Sequence, residues 1–212
     1  NYTLSGSSLT INKRPLDIDG SKIYDGNTNA ANSILTVSNF ATDSTTGNTE
    51  TLGLSGTATI SSKNAGSRTI TNATSALTLS NGSNGGLANN YTFTGGTHNF
   101  TVNTRPLDVS GTRQYDGTTV ASSSDLPTLS NFVGSETVTI SGNGSVNSAN
   151  VANNYSVNTS GLSLVNGSNG GLAANYNLTG GTYTLDITKR NLSLDGTRAY
   201  DNVTTVQSSE LT

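Results

Sequence analysis

Lys13-Arg14-Pro15-Leu16-Asp17-Ile18-Asp19-Gly20-Ser21-Lys22-Ile23-Tyr24-Asp25-Gly26 is the first of three related stretches in this chain. It returns as Thr104-Arg105-Pro106-Leu107-Asp108-Val109-Ser110-Gly111-Thr112-Arg113-Gln114-Tyr115-Asp116-Gly117. A third copy reads Lys189-Arg190-Asn191-Leu192-Ser193-Leu194-Asp195-Gly196-Thr197-Arg198-Ala199-Tyr200-Asp201-Asn202. From Tyr24 to Tyr115 is 91 residues, and from Tyr115 to Tyr200 is 85. Self-similarity at a fixed long period is the signature of a repeat architecture. Within each copy apolar residues alternate with polar ones and then meet Asp-Gly or Asp-Asn, which reads as a strand entering a turn.

Working outward, Asn81-Gly82-Ser83-Asn84-Gly85-Gly86-Leu87-Ala88-Asn89-Asn90-Tyr91 recurs almost unchanged at 166–176, again 85 residues on. The spacing predicts the end of a preceding repeat at 1–11, a first β module at 12–102, a second at 103–187 and the start of a third at 188–212. Residues 1–11 read as a strand. Period-two pairs fill both modules, among them Leu52 and Leu54, Phe100 and Val102, Val138 and Ile140, and Leu185 and Ile187. Gly and Asn clusters interrupt them every 8–12 residues or so, the rhythm of a sandwich. The expected fold is all-β, with tandem Ig-like β-sandwich modules in an elongated rod, and no helix is expected. A parallel β-helix is the alternative.

Composition agrees with narrow cores. The 212 residues are only 31% hydrophobic and 11% charged, with net charge −3 and 24 glycines. Disordered chains share the low hydrophobicity but usually carry a high net charge. Thr suits a pleated surface, while Asn and Gly suit turns. With no Cys there are no disulfides, so stability must come from sheet pairing and neighbouring repeats. The ten Lys and Arg form no stripe with interleaved aromatics, which argues against a nucleic-acid partner. No apolar run reaches membrane-spanning length.

Tyr24-Asp25-Gly26, Tyr115-Asp116-Gly117 and Tyr200-Asp201-Asn202 are the leading candidates for a shared role. A ligand loop and a structural turn both suit them. The third copy favours the turn, because Asn is the non-glycine residue that best tolerates positive φ. Arg14, Arg105 and Arg190 are candidates for sealing junctions between modules or for weak binding of acidic glycans. Lys22, Arg113 and Arg198 also recur, with Asp25, Asp116 and Asp201 as obvious partners. Asp17 and Asp19 alternate along one strand as a calcium pair would. However, Ser110 and Ser193 break the pattern, so no metal site is expected. The Asn- and Gly-rich loops at 81–90 and 166–175 read as turn geometry.

Catalysis finds little support. A Ser-His-Asp triad would have to use His98, which aligns with Tyr183 in the next repeat. A Lys–Asn crosslink is disfavoured too, since Lys22 becomes Arg113 and Lys63 has no lysine counterpart. No catalytic residue and no cofactor are expected.

The order Arg-Pro-Leu-Asp-Val, then Tyr115-Asp116-Gly117-Thr118-Thr119, Leu129-Ser130-Asn131-Phe132, Asn175-Tyr176 and Gly180-Gly181-Thr182 resembles the YDG and MBG repeats. These belong to large, two-partner-secreted, filamentous-haemagglutinin-like exoproteins of Gram-negative bacteria. The resemblance implies a non-enzymatic stalk of an adhesin at the cell surface or in a biofilm matrix. It implies neighbouring repeats as partners, with polysaccharide or other cells bound through another region. A glycan- or receptor-binding module and a self-assembling fibre subunit are the alternatives. Asn191 in place of Pro and Asn202 in place of Gly depart from the pattern.

Overall fold

The computed structural model describes Gly6 and residues 8–211. Its regular structure is mostly strand, in several small sheets with no closed barrel. Each of the first two repeats carries nine strands in the same order. The first has β1 (Arg14–Pro15), β2 (Asp17–Ile23), β3 (Asn29–Ala31), β4 (Leu35–Ser38), β5 (Leu52–Thr59), β6 (Gly66–Thr69), β7 (Leu77–Asn81), β8 (Tyr91–Thr92) and β9 (Asn99–Asn103). The second has β10 (Arg105–Pro106), β11 (Asp108–Gln114), β12 (Val120–Ser122), β13 (Thr128–Ser130), β14 (Val138–Ser145), β15 (Ala152–Ser156), β16 (Leu162–Asn166), β17 (Tyr176–Asn177) and β18 (Tyr183–Thr188). The chain packs as two compact units. One comprises residues 1–107, 130–139 and 164–181, the other 108–129, 140–163 and 182–212.

In the first unit, β4-β2-β9-β6 form one sheet, β3-β5-β7 a second, and β1 pairs with β8. β2 runs antiparallel to β4 and parallel to β9, with Ser21 opposite Thr101. Leu16, Ile18, Phe100 and Val102 point inward and are essentially fully buried, while Asp19, Thr101 and Asn103 face out. This is the period-two burial that the alternation anticipates. Gly20 sits where a Cβ would come within 2.7 Å of the Ile34 carbonyl oxygen, so β2 bears no side chain there. The same unit holds β10 paired in parallel with β17, Arg105 opposite Tyr176.

In the second unit, β11 is parallel to β18, from Val109 opposite Tyr183 to Gln114 opposite Thr188. β15 runs antiparallel to β18 with a bulge between Ala152 and Tyr155. Val109, Leu126, Leu185 and Ile187 form the centre of this core. Gly111 repeats the role of Gly20 against the Asp125 carbonyl.

Parallel partners lie far apart in sequence, such as Arg14 with Tyr91 and Ser21 with Thr101. A β-helix pairs successive coils of roughly 20 residues. The described residues contain no such succession. Among the described residues helical structure is limited to short turns, of which Ala73–Ala76 is an α-helical one that the sequence reading did not anticipate.

Of the strand expected at 1–11, residues 1–5 and 7 lie outside the described residues. Ser8–Ile11 is irregular and exposed, because no described strand pairs with it. Among the described residues the third copy is likewise without strands, with a β-bridge between Gly196 and Leu211. Its Leu192, Leu194 and Tyr200 are exposed. In the first two repeats the counterparts of Leu192 and Leu194, namely Leu16 and Ile18 and then Leu107 and Val109, are buried beside the strands that pair with β2 and β11. The described residues supply no counterparts to those strands here.

Candidate functional site

The Tyr-Asp-Gly loops have one construction in all three copies. The Asp carboxylate accepts the backbone N–H two residues on: Asn27 to Asp25 at 3.1 Å, Thr118 to Asp116 at 2.9 Å and Val203 to Asp201 at 3.0 Å. This is an Asx turn. The next residue takes positive φ: Gly26 and Gly117 at 79° and Asn202 at 61°. The Thr118 amide holds the Asp116 carboxyl below the usual carboxylate range.

A cation two residues before the tyrosine fills each loop. Lys22 Nζ donates to the carbonyls of Asn27 and Asn29, both at 2.9 Å, and lies 2.9 Å from Asp25. Arg113, buried, donates to Asp116 at 3.1 Å and to the carbonyls of Thr118 and Val120. Arg198 reaches the carbonyls of Val203 and Thr205. These side chains gather the loop carbonyls.

Arg14 and Arg105 have a different task. Arg14 donates to the backbone oxygen of Asn39 at 2.6 Å and to its side-chain oxygen at 2.8 Å. Arg105 does the same to Asn131, both at 2.7 Å. Both asparagines have positive φ, 69° and 71°. The arginines thus fix a strained bend within their own repeat. Arg190 is exposed. Asp17 and Asp108 accept the amides of Thr97 and Thr182, each at 2.7 Å, and so tie β2 and β11 to the Gly-Gly-Thr turn of their repeat.

The tyrosines carry the main finding. Tyr24 is fully buried although it opens an exposed loop, and it is buried by the second repeat. Its hydroxyl donates to Glu136 Oε1 at 2.7 Å, while the Tyr176 hydroxyl donates to Glu136 Oε2, also at 2.7 Å. The two rings meet edge to face, centroids 5.6 Å apart. Phe132 stands edge-on to the other side of Tyr176 at 5.7 Å. Nearby, Asn175 accepts the Ala65 amide at 2.9 Å and donates to Asn64 at 3.2 Å, and Lys63 lies 3.8 Å from Glu136. All of these residues belong to the first compact unit.

One carboxylate is therefore shared by tyrosines from two successive repeats. Hydrogen bonds to an ionised acceptor are roughly twice as strong as neutral ones. Burial, reinforced by Glu136, pushes the Tyr24 hydroxyl well above the ordinary tyrosine range. Burial likewise pushes Tyr176 up to about 12, against the lowering effect of the Val133 amide.

The glutamate is set in place by the Asn-Gly loop. Asn169 donates to the Ser135 carbonyl at 2.9 Å, and the Thr137 amide donates to Ser168 at 3.2 Å, bracketing Glu136 on both sides. Asn84 and Ser83 do the same for Glu50 through Thr49 and Thr51. Glu50, Glu136, Tyr91, Tyr176 and Asn175 did not emerge as site residues from the sequence. The signal existed: Glu50 and Glu136 are two of only three glutamates in the chain, and they lie 86 residues apart, close to the repeat spacing.

Among the described residues no group of three or more His, Cys, Asp or Glu could hold a metal ion. No described helix is long and apolar enough to cross a membrane. His98 lies edge-on to Phe93 at 6.2 Å, beside β2.

A family model for the YDG domain matches residues 8–99 and again residues 101–185. No curated protein and no solved structure matches the chain. Two consecutive matches cover most of the sequence, and the chain belongs to the YDG domain family.

Proposed function

We propose that these repeats are the structural stalk or spacer of a bacterial cell-surface or biofilm-matrix adhesin, without catalysis of their own. The observation that carries this reading is the Tyr24–Glu136–Tyr176 clasp. It spends the most conspicuous repeated residue on joining one repeat to the next. On this reading each repeat is a small β-sandwich of the Ig-like kind, its four-stranded and three-stranded sheets facing each other. Repeats then follow in tandem, and adhesion resides elsewhere in a secreted protein. The Asp and cation of each loop serve loop geometry, which leaves them poorly suited to recognising a ligand.

Calorimetry tests the mechanical part of this reading. The wild-type repeats should melt in one coupled transition, and Glu136→Ala should split it in two. Binding of the purified chain to a glycan array at micromolar concentration would overturn the stalk reading in favour of a lectin-like module.

A further inference from the structure

The first repeat carries the same socket as the second, and among the described residues no tyrosine plugs it. Tyr91 donates to Glu50 Oε2 at 2.5 Å and accepts the Ala41 amide at 3.0 Å, as Tyr176 does with Glu136 and the Val133 amide. Phe40 stands edge-on to Tyr91 at 5.9 Å, as Phe132 does to Tyr176. Asn90 occupies the place of Asn175. Where Tyr24 fills the second socket, the first has a cleft of about 360 Å³ lined by Lys13, Arg14, Glu50, Asn90 and Tyr91. Among the described residues no donor reaches Glu50 Oε1, the counterpart of the oxygen that accepts from Tyr24.

The matching plug is also present. Tyr115 occupies the position of Tyr24, on a loop with the same Asx turn and the same φ of 79°. Yet it is 41% exposed, whereas Tyr24 is fully buried. The companion turn is conserved in form as well. The Asn150 amide donates to Ser148 as the Asn64 amide donates to Ser62, both at 3.2 Å. Lys63 is the one element missing, replaced by Ala149.

We propose that the Glu50–Tyr91 socket of one chain accepts Tyr115 of a second copy of this chain, reproducing head to tail the junction seen between the two repeats. An interface of this kind joins unlike surfaces and does not close on itself, so it propagates open chains. The tethered junction benefits from a high effective concentration that separate chains lack. Association between free chains is therefore weak and depends on concentration. The inference rests on the Tyr24–Glu136 junction and not on the stalk reading, which survives if free chains never associate.

Disulfide trapping suits a weak contact, and the chain has no cysteine of its own. A Cβ on Gly26 would lie 3.9 Å from Val133 Cβ, within the spacing of a disulfide. Gly117 and Ala41 are the corresponding positions across the proposed contact. The Gly117→Cys, Ala41→Cys variant should give a ladder of covalent multimers on a non-reducing gel after mild oxidation. Adding Tyr115→Ala should reduce the ladder at least tenfold. Gly26→Cys with Val133→Cys should close within one chain and serves as the control for folding and geometry. A closed control without a ladder, or a ladder that Tyr115→Ala leaves intact, overturns the proposal. Sedimentation velocity on the chain without cysteines adds an independent reading. Its sedimentation coefficient should rise with concentration, and Tyr115→Ala should abolish the rise. An unchanged coefficient across the range, or a rise that persists in the variant, counts against it.

Discussion

At Gly117 a Cβ would meet only the Tyr115 hydroxyl, at 3.9 Å, so any cost of substitution there comes from the backbone. L-residues pay about 1–2 kcal/mol in the left-handed region, and Asn pays least. Gly117→Ala should therefore destabilise by about 1 kcal/mol, and Gly117→Asn by only a few tenths, as urea denaturation would register. Tyr24 and Tyr115 make a sharper pair. Tyr24→Phe keeps the ring but leaves Glu136 Oε1 with Lys63 alone, at 3.8 Å. Losing a hydrogen bond to a buried carboxylate costs about 1.5–3 kcal/mol. Tyr115→Phe, at an exposed position, should stay within about 0.5 kcal/mol in dilute solution. Equal effects of the two substitutions in the same urea titration would remove the clasp from the account.

At the scale of strands and loops, one cation per Tyr-Asp-Gly loop replaces the backbone pairing that an irregular loop lacks. Lys22 performs with one ammonium what Arg113 performs with a guanidinium whose Nε has no partner. Arg113→Lys should thus cost less than about 1 kcal/mol. Arg113→Ala, which strands the carbonyls of Thr118 and Val120, should cost about 2–4 kcal/mol in chemical denaturation. Much of this level was legible in the sequence. Leu16 with Ile18 and Leu185 with Ile187 announced strands because one face of each is buried. Asn202 announced the positive φ of Gly26 and Gly117. The pairing of β2 with β9 was not legible, since alternation reveals which face is buried but not which strand lies alongside. Glu136 escaped for a related reason. A lone glutamate among polar residues looks solvated until the tyrosines that surround it are brought there by other elements. Ser8–Ile11 and the third copy carried strand patterns that no described neighbour completes.

For the whole molecule, the clasp makes stability depend on pH at the alkaline end. A hydroxyl whose folded pKa exceeds its unfolded value of about 10 stabilises the fold fully below that value. The contribution is lost as pH rises through the folded value, about 12 for Tyr176 and higher still for Tyr24. Unfolding free energy should fall steeply between about pH 10 and 12. The ultraviolet absorbance of tyrosinate should show Tyr24 and Tyr176 among the last of the eight tyrosines to ionise. In acid, the depressed pKa values of Asp17 and Asp116 add a smaller loss below about pH 4. The parallel pairing of β2 with β9 has a further consequence, in time. Ser21 cannot meet Thr101 until 80 more residues have been made. At roughly 5–20 residues per second, β2, and likewise β11, waits several seconds on the ribosome for its parallel partner. Contacts this distant in sequence also fold slowly. The nascent chain must therefore carry an unpaired, half-apolar edge through most of the synthesis of every repeat.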